Sequence, residues 1–254
     1  MMTFPIFARV TQRWDQPRIA DVGAAVTAAL EAGGLRRRLR PGMVVAITAG
    51  SRGVARLPEI LRAAVAFCRA AECKPFLFPA MGSHGGGTAE GQRALLAELG
   101  ITEGSVGAEI RATMEVIQVA EPPEGLPVHL DRHAAAADGI LVINRVKPHT
   151  DFEGRFESGL AKMMTIGMGK HAQALAVHQH GAAGLRGHTP GIAVASMAPG
   201  RVLGALLPEL RGRSDLDIDP RPVPMTFTAD GRLQSPLRPA PARPAPASAW
   251  RDVG

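Results

Sequence analysis

The chain has 254 residues, 46% of them hydrophobic but only 4% aromatic and none tyrosine, so an interior of ordinary size must be filled by Ala, Val, Leu, Ile and Met. No run reaches the roughly 18 apolar residues of a membrane span, the first residues lack a secretory leader pattern, and Cys68 and Cys73 are too few for a disulfide framework. The net charge of +6 is scattered arginine apart from Arg36-Arg37-Arg38 with Arg40, a run without interleaved aromatics; a cytoplasmic protein with neither nucleic acid nor membrane as partner is expected.

Residues 1–20 are weakly patterned, with one strand expected over Phe4–Val10. Ile19–Ala32 carries apolar residues at helical spacing and stops at Gly33-Gly34. After the Pro41-Gly42 turn, Met43–Thr48 reads as a strand and Ala49–Gly53 as a loop. Leu57–Ala71 then reads as a helix, with Pro58 where its missing N–H costs little. Pro75–Pro79 is the next strand; it feeds the glycine-rich loop Met81–Thr88 and the helix Ala89–Leu99. A strand near Thr113–Val119, a loop over Pro122–Pro127 and a short Ala-rich helical piece lead to the apolar strand Ile140–Ile143. Ser158-Gly159 opens a Met- and Ala-rich helix carrying Lys162, and a second helical piece ends at His178-Gln179-His180. This alternation predicts an α/β fold, a mostly parallel sheet with helices on both faces. Gly184–Arg213 reads as partly helical, interrupted by Gly187, Pro190, Pro199 and Gly200. One α/β domain over residues 1–213 is therefore expected. The Pro-, Arg- and Ala-rich remainder, 214–254, is expected to be a disordered tail because it can bury too little apolar surface.

Ligands of open α/β sheets bind beyond the carboxyl ends of the strands, where Asn144, Arg145, Lys147, Pro148 and His149 follow the Ile140–Ile143 strand. Three strand-end loops collect the polar residues: Gly50–Gly53, Gly82–Thr88 and Arg145–Ser158. Glycines allow close backbone approach, helix N-termini offer N–H groups to an anion, and Arg52 adds a planar cation suited to carboxylate or phosphate. Neither glycine loop matches a Walker sequence or GxGxxG, which argues against ordinary nucleotide triphosphate or NAD binding. His84 and His149 both follow strands, so a parallel sheet places them at one edge, where two imidazoles can alternate as general base and acid. Lys162 lies among Met163, Met164 and Ile166, company that lowers an amine's pKa and makes it a usable nucleophile; snorkelling to solvent is the other outcome. His178 and His180 could ligate a metal, and His171 shares a helix face with His178, but the spacings do not make an ordinary zinc centre.

In their order and spacing, Gly82-Ser83-His84, Pro148-His149, Ser158-Gly159-Leu160-Ala161-Lys162 and a histidine 16 residues later, His178, resemble the nickel-dependent lactate racemases and their relatives. The resemblance spans residues 40–181 and implies the Rossmann-like N-terminal catalytic domain of that family. It also implies a nickel-pincer nucleotide cofactor, a pyridinium-3,5-bisthiocarboxylic acid mononucleotide derivative, supplied by cofactor-biosynthesis enzymes. Lys162 would carry it through a thioamide bond and His178 would ligate nickel, with His180 in reserve. Ser51, Arg52, Gly85, Ser158 and Gly159 would complete the cofactor site, Arg52 alternatively holding a substrate carboxylate. His84 and His149 would flank a 2-hydroxy acid and exchange its hydroxyl proton as the Cα hydride passes to the cofactor and returns to the opposite face. The resemblance thus implies a 2-hydroxy-acid racemase or epimerase, an isomerase.

Two departures qualify it. Ala49-Gly50-Ser51-Arg52-Gly53 lacks the acidic residue and threonine that lactate racemases carry before the arginine, which implies a different 2-hydroxy acid. Nothing after Gly181 resembles the family's second domain, so a truncated or out-of-frame C-terminus is expected. Two other functions fit the residues alone: a Schiff-base lyase using Lys162 with His149, and a non-catalytic domain holding an anion or nucleotide.

Overall fold

The computed structural model describes residues 19–51, 54–121, 125–145, 158–197, 200–207, 223–227 and 233–234. The first helix, α1 (Val22–Ala32), is capped by the Asp21 side chain, which accepts from the Ala24 N–H at 2.9 Å. Strand β1 (Val44–Ala49), helix α2 (Leu57–Arg69) and strand β2 (Lys74–Pro79) follow as one right-sized βαβ unit, β1 and β2 pairing in parallel from Val44↔Lys74 to Ala49↔Pro79. Next come α3 (Ala89–Glu98), capped by Thr88, and the short α4 (Glu103–Val106). Strands β3 (Val116–Ala120) and β4 (Val128–Asp131) form their own antiparallel pair, and α5 (Arg132–Ala135) leads into β5 (Gly139–Ile143). The strand expected near Thr113–Val119 thus belongs to a two-stranded ribbon, outside the main sheet.

The segment after Ser158 opens with α6 (Leu160–Lys162), continues as a π-helical turn over Met163–Gly167, and resumes as α7 (Lys170–His178) and α8 (Gly181–Met197). Contrary to the sequence expectation, Gly187 and Pro190 do not break α8. Its buried face, Leu185, Thr189, Ile192, Ala193 and Ser196, repeats at helical spacing, and that packing outweighs the poor local propensity. Strand β6 (Val202–Leu207) was not expected either; Gly204 interrupts its apolar run and disguises it. Within the segment from 214 onward, β7 (Val223–Phe227) and β8 (Leu233–Gln234) take strand form, β7 antiparallel to β6; the rest of that segment and the strand expected over 4–10 lie outside the described residues.

The main sheet has the order β2-β1-β5-β6-β7-β8, with β2, β1, β5 and β6 parallel. Side chains alternate between its faces. Val45, Ile47, Leu77, Leu141, Ile143 and Leu206 pack with α1 and α2 on one side. Ala46, Phe76, Phe78, Ile140, Val142 and Ala205 meet Leu160, Met163, Met164 and Ala193 on the other. The fold is therefore α/β, a mostly parallel sheet with helices on both faces. Burying each large side chain of these two cores contributes about 1.5–3 kcal/mol. The basic run is built into the same body: Arg36 stacks on Phe67 at 4.2 Å and pairs with Glu31, and Arg38 donates to the Leu203 carbonyl at 3.1 Å. No helix among the described residues is long and apolar enough to cross a membrane.

Candidate functional site

The chain leaves β1 in two spatial directions. Through α2 it reaches β2 on one side, whereas β5 lies on the other. A crevice is expected at the carboxyl ends of β1 and β5, where the winding reverses. Local chemistry widens it. The β1–β5 ladder pairs only Val45–Ile47 with Gly139–Leu141, and beyond it the buried Thr48 hydroxyl takes over. That hydroxyl accepts from the Ile143 N–H at 2.7 Å and donates to the Ile143 carbonyl at 3.2 Å. The backbones past this bridge diverge, and an open cleft lies there.

Each wall of the cleft comes from a strand end or from the helix facing it. Gly50 and Ser51 follow β1; Ala80, Met81 and His84 follow β2; Asn144 and Arg145 follow β5. Ser158, Lys162, Met163 and Ile166 close the far side. Ser51 Oγ lies 2.5 Å from His84 Nδ1, so the β1 loop orients the imidazole of the β2 loop. Asn144 donates through Nδ2 to the Gly159 carbonyl at 2.8 Å, tying the start of α6 to the end of β5. Gly159 is required there: its φ of 93° and ψ of −144° lie in a region essentially restricted to glycine. The turn it makes starts the helix so that Lys162, half-buried, faces the cleft. The π-turn begins immediately afterwards, with the Met168 N–H reaching back five residues to the Met163 carbonyl at 2.8 Å; such turns recur at functional sites.

The expected site residues therefore separate into four groups. Ser51, His84, Ser158 and Lys162 line the one cleft. Gly85 and Gly159 adjoin it in sequence, Gly85 as the first of three successive glycines with positive φ. Arg52 and His149 lie outside the described residues. His178 is not among the cleft-lining residues; it is exposed at the end of α7, its Nδ1 2.6 Å from the Ala174 carbonyl oxygen. His180 sits edge-on to His188 with ring centres 4.9 Å apart, and His171 is exposed. Among the described residues no three His, Cys, Asp or Glu side chains converge on a metal position.

Asn144 and Arg145, which stand directly after a buried strand, also line the cleft, as their strand-end position predicts. The Arg145 Nε is buried and has no hydrogen-bond partner among the described residues. A buried guanidinium donor without a partner, in the wall of a cleft that also holds a lysine, suits an anionic ligand.

Sequence reasoning missed a fully buried cluster beneath the His84 loop: Gln92, Asp131 and Lys170, each with 0% exposure. The Lys170 ammonium meets the Asp131 carboxylate at 3.1 Å. Burial pulls the Lys170 pKa below its ordinary 10.5, and Asp131 opposes that shift. The only hint in the sequence was a lysine within the otherwise apolar stretch Met163–Lys170.

No protein-family model matches the chain, and no curated protein matches it by sequence. Among solved structures it is similar to the lactate racemase apoprotein from Thermoanaerobacterium thermosaccharolyticum, with a TM-score of 0.50 and 16% sequence identity. The match covers 84% of this chain and 50% of that one, so this chain spans about half the length of the solved protein. The likeness is one of fold.

Proposed function

We propose that this chain forms part of a 2-hydroxy-acid racemase or epimerase, an isomerase whose nickel-pincer nucleotide is tethered at Lys162. The observation that carries the proposal is the convergence of Ser51, His84, Ser158 and Lys162, which lie far apart in sequence, on one cleft at the sheet's winding reversal. The similar fold of a lactate racemase apoprotein agrees with it. The residues fit the group in two respects. Lys162 places an amine in the cleft wall, and the partnerless Arg145 Nε offers a donor to a phosphate or carboxylate. His178 is the nickel ligand by the resemblance alone: it is exposed at the end of α7, its Nδ1 lies against the Ala174 carbonyl, and it does not line the cleft that holds Lys162. When bound, the group would supply the hydride acceptor that no side chain provides.

The chain's own residues perform the rest. His84, held through Nδ1 by Ser51, takes or returns the substrate hydroxyl proton, and His149 is its counterpart as the second acid/base. Two like groups suit a reaction whose forward and reverse directions are mirror images. Arg145, with Arg52, holds the substrate carboxylate or the cofactor phosphate. The test is the intact mass of the protein after co-expression with the cofactor-making enzymes. A covalent adduct is expected on the wild-type chain and none on Lys162→Ala. An unmodified wild-type mass would remove the reading.

A further inference from the structure

We propose that Gln92, set by Lys170, is a positioning residue for His84. Lys170 opens α7 in a left-handed conformation, with φ of 58°, and projects into the interior. Its Nζ donates to the Pro79 carbonyl at 2.5 Å and to Gln92 Oε1 at 3.0 Å, and it meets Asp131 Oδ2 at 3.1 Å. Pro79 and Gln92 take two hydrogen bonds from the ammonium, and Asp131 faces it as an ion pair whose Oδ2 makes no hydrogen bond. The other Asp131 oxygen is already used, accepting from the His133 and Ala134 N–H groups at 2.9 and 3.1 Å, and Oδ2 is met by the ammonium alone.

An ammonium can only donate, so it dictates which end of the Gln92 amide faces it. The oxygen turns to Lys170, and the NH₂ must turn the other way. There it donates to the Gly82 carbonyl at 2.8 Å and the His84 carbonyl at 3.3 Å. The backbone of His84 is thus held from below by Gln92, and its ring is held from the side by Ser51. The support matters because the three glycines that follow, Gly85 to Gly87, all have positive φ and offer no side chains to brace the loop. A proton-handling imidazole needs its position fixed to within about 0.5 Å. The buried cluster carries that requirement from the ends of β2 and β4 to the cleft.

The role of His84 rests on the proposed function, but its positioning can be read without turnover. Gln92→Glu keeps the volume and leaves Lys170 an acceptor, yet offers no donor to the Gly82 and His84 carbonyls. Gln92→Met removes the donor without adding charge and serves if the carboxylate prevents folding. Nitrogen-15 spectra of the His84 side chain should show one dominant tautomer in the wild-type protein and a mixture in the variant. Amide exchange over residues 85–88 should rise at least about tenfold, while exchange in β1 and α2 stays unchanged. An unaltered His84 tautomer, or exchange that rises uniformly through the sheet, would overturn the proposal. A wild-type chain without the Lys162 adduct would leave it standing.

Discussion

The two lysines of the 158–178 segment occupy opposite environments. Lys162 is half-buried in the wall of the cleft, one residue before the π-turn. Lys170 has 0% exposure, donates to Pro79 and Gln92, and is paired as an ion with Asp131. An amine that faces a cleft can meet a ligand, whereas an amine enclosed by three acceptors can only organise its neighbours. The comparison teaches that the surroundings of a side chain, rather than its type, divide reaction from support.

The largest effect should come from the enclosed amine. Lys170→Met strands the Asp131 carboxylate in the interior and should lower unfolding stability by about 3–5 kcal/mol in a urea titration. The same change at Lys162, which is only half-buried in the cleft wall, should cost under about 1 kcal/mol. Equal losses at the two positions would break the comparison. Next in size is Gly91→Ala, which addresses how the glycine loop sits on α3. A Cβ at Gly91 would lie 1.9 Å from the Gly85 carbonyl oxygen, so the loop must move. A loss of about 1–3 kcal/mol is expected, together with a shifted His84 resonance. An unshifted resonance would mean that this docking does not govern the cleft.

The smallest effect concerns His129 on β4, two residues before Asp131. Burial holds its imidazole below the ordinary 6.5, with a contribution from Gln173 opposing the shift. As pH falls through 6.5 the unfolded chain takes up a proton that the folded chain still refuses. This contribution to stability is therefore full above 6.5 and is lost between 6.5 and the lower folded value. His129→Gln should flatten that acid-side slope, compared by urea midpoints at pH 8 and about pH 5.5. An unchanged slope would assign the acid sensitivity to another group.

Much of the fold was legible because its signals are local. The apolar runs at Val44–Ala49, Lys74–Pro79 and Gly139–Ile143, and the helical periodicity of Leu57–Arg69 and Ala89–Glu98, are written in consecutive residues. Where a neighbour outweighs the local signal, the reading failed. Pro190 sits inside α8, Gly204 sits inside β6, and β3 pairs with β4 and not with the main sheet. The cleft was partly legible for the same reason: Ser51, His84, Asn144 and Arg145 each stand just past a strand, and in a parallel sheet all strand ends share one edge.

The sequence alone determined the alternation of strand and helix and the edge along which the polar residues gather, because both follow from periodicity and chain direction. It could not determine which lysine would meet the cleft. Both occupy apolar helical surroundings, and the groups that enclose Lys170 lie 91 residues away at Pro79 and 78 away at Gln92. Only closure of the chain into its tertiary structure brings those acceptors around one amine and leaves the other in the cleft wall.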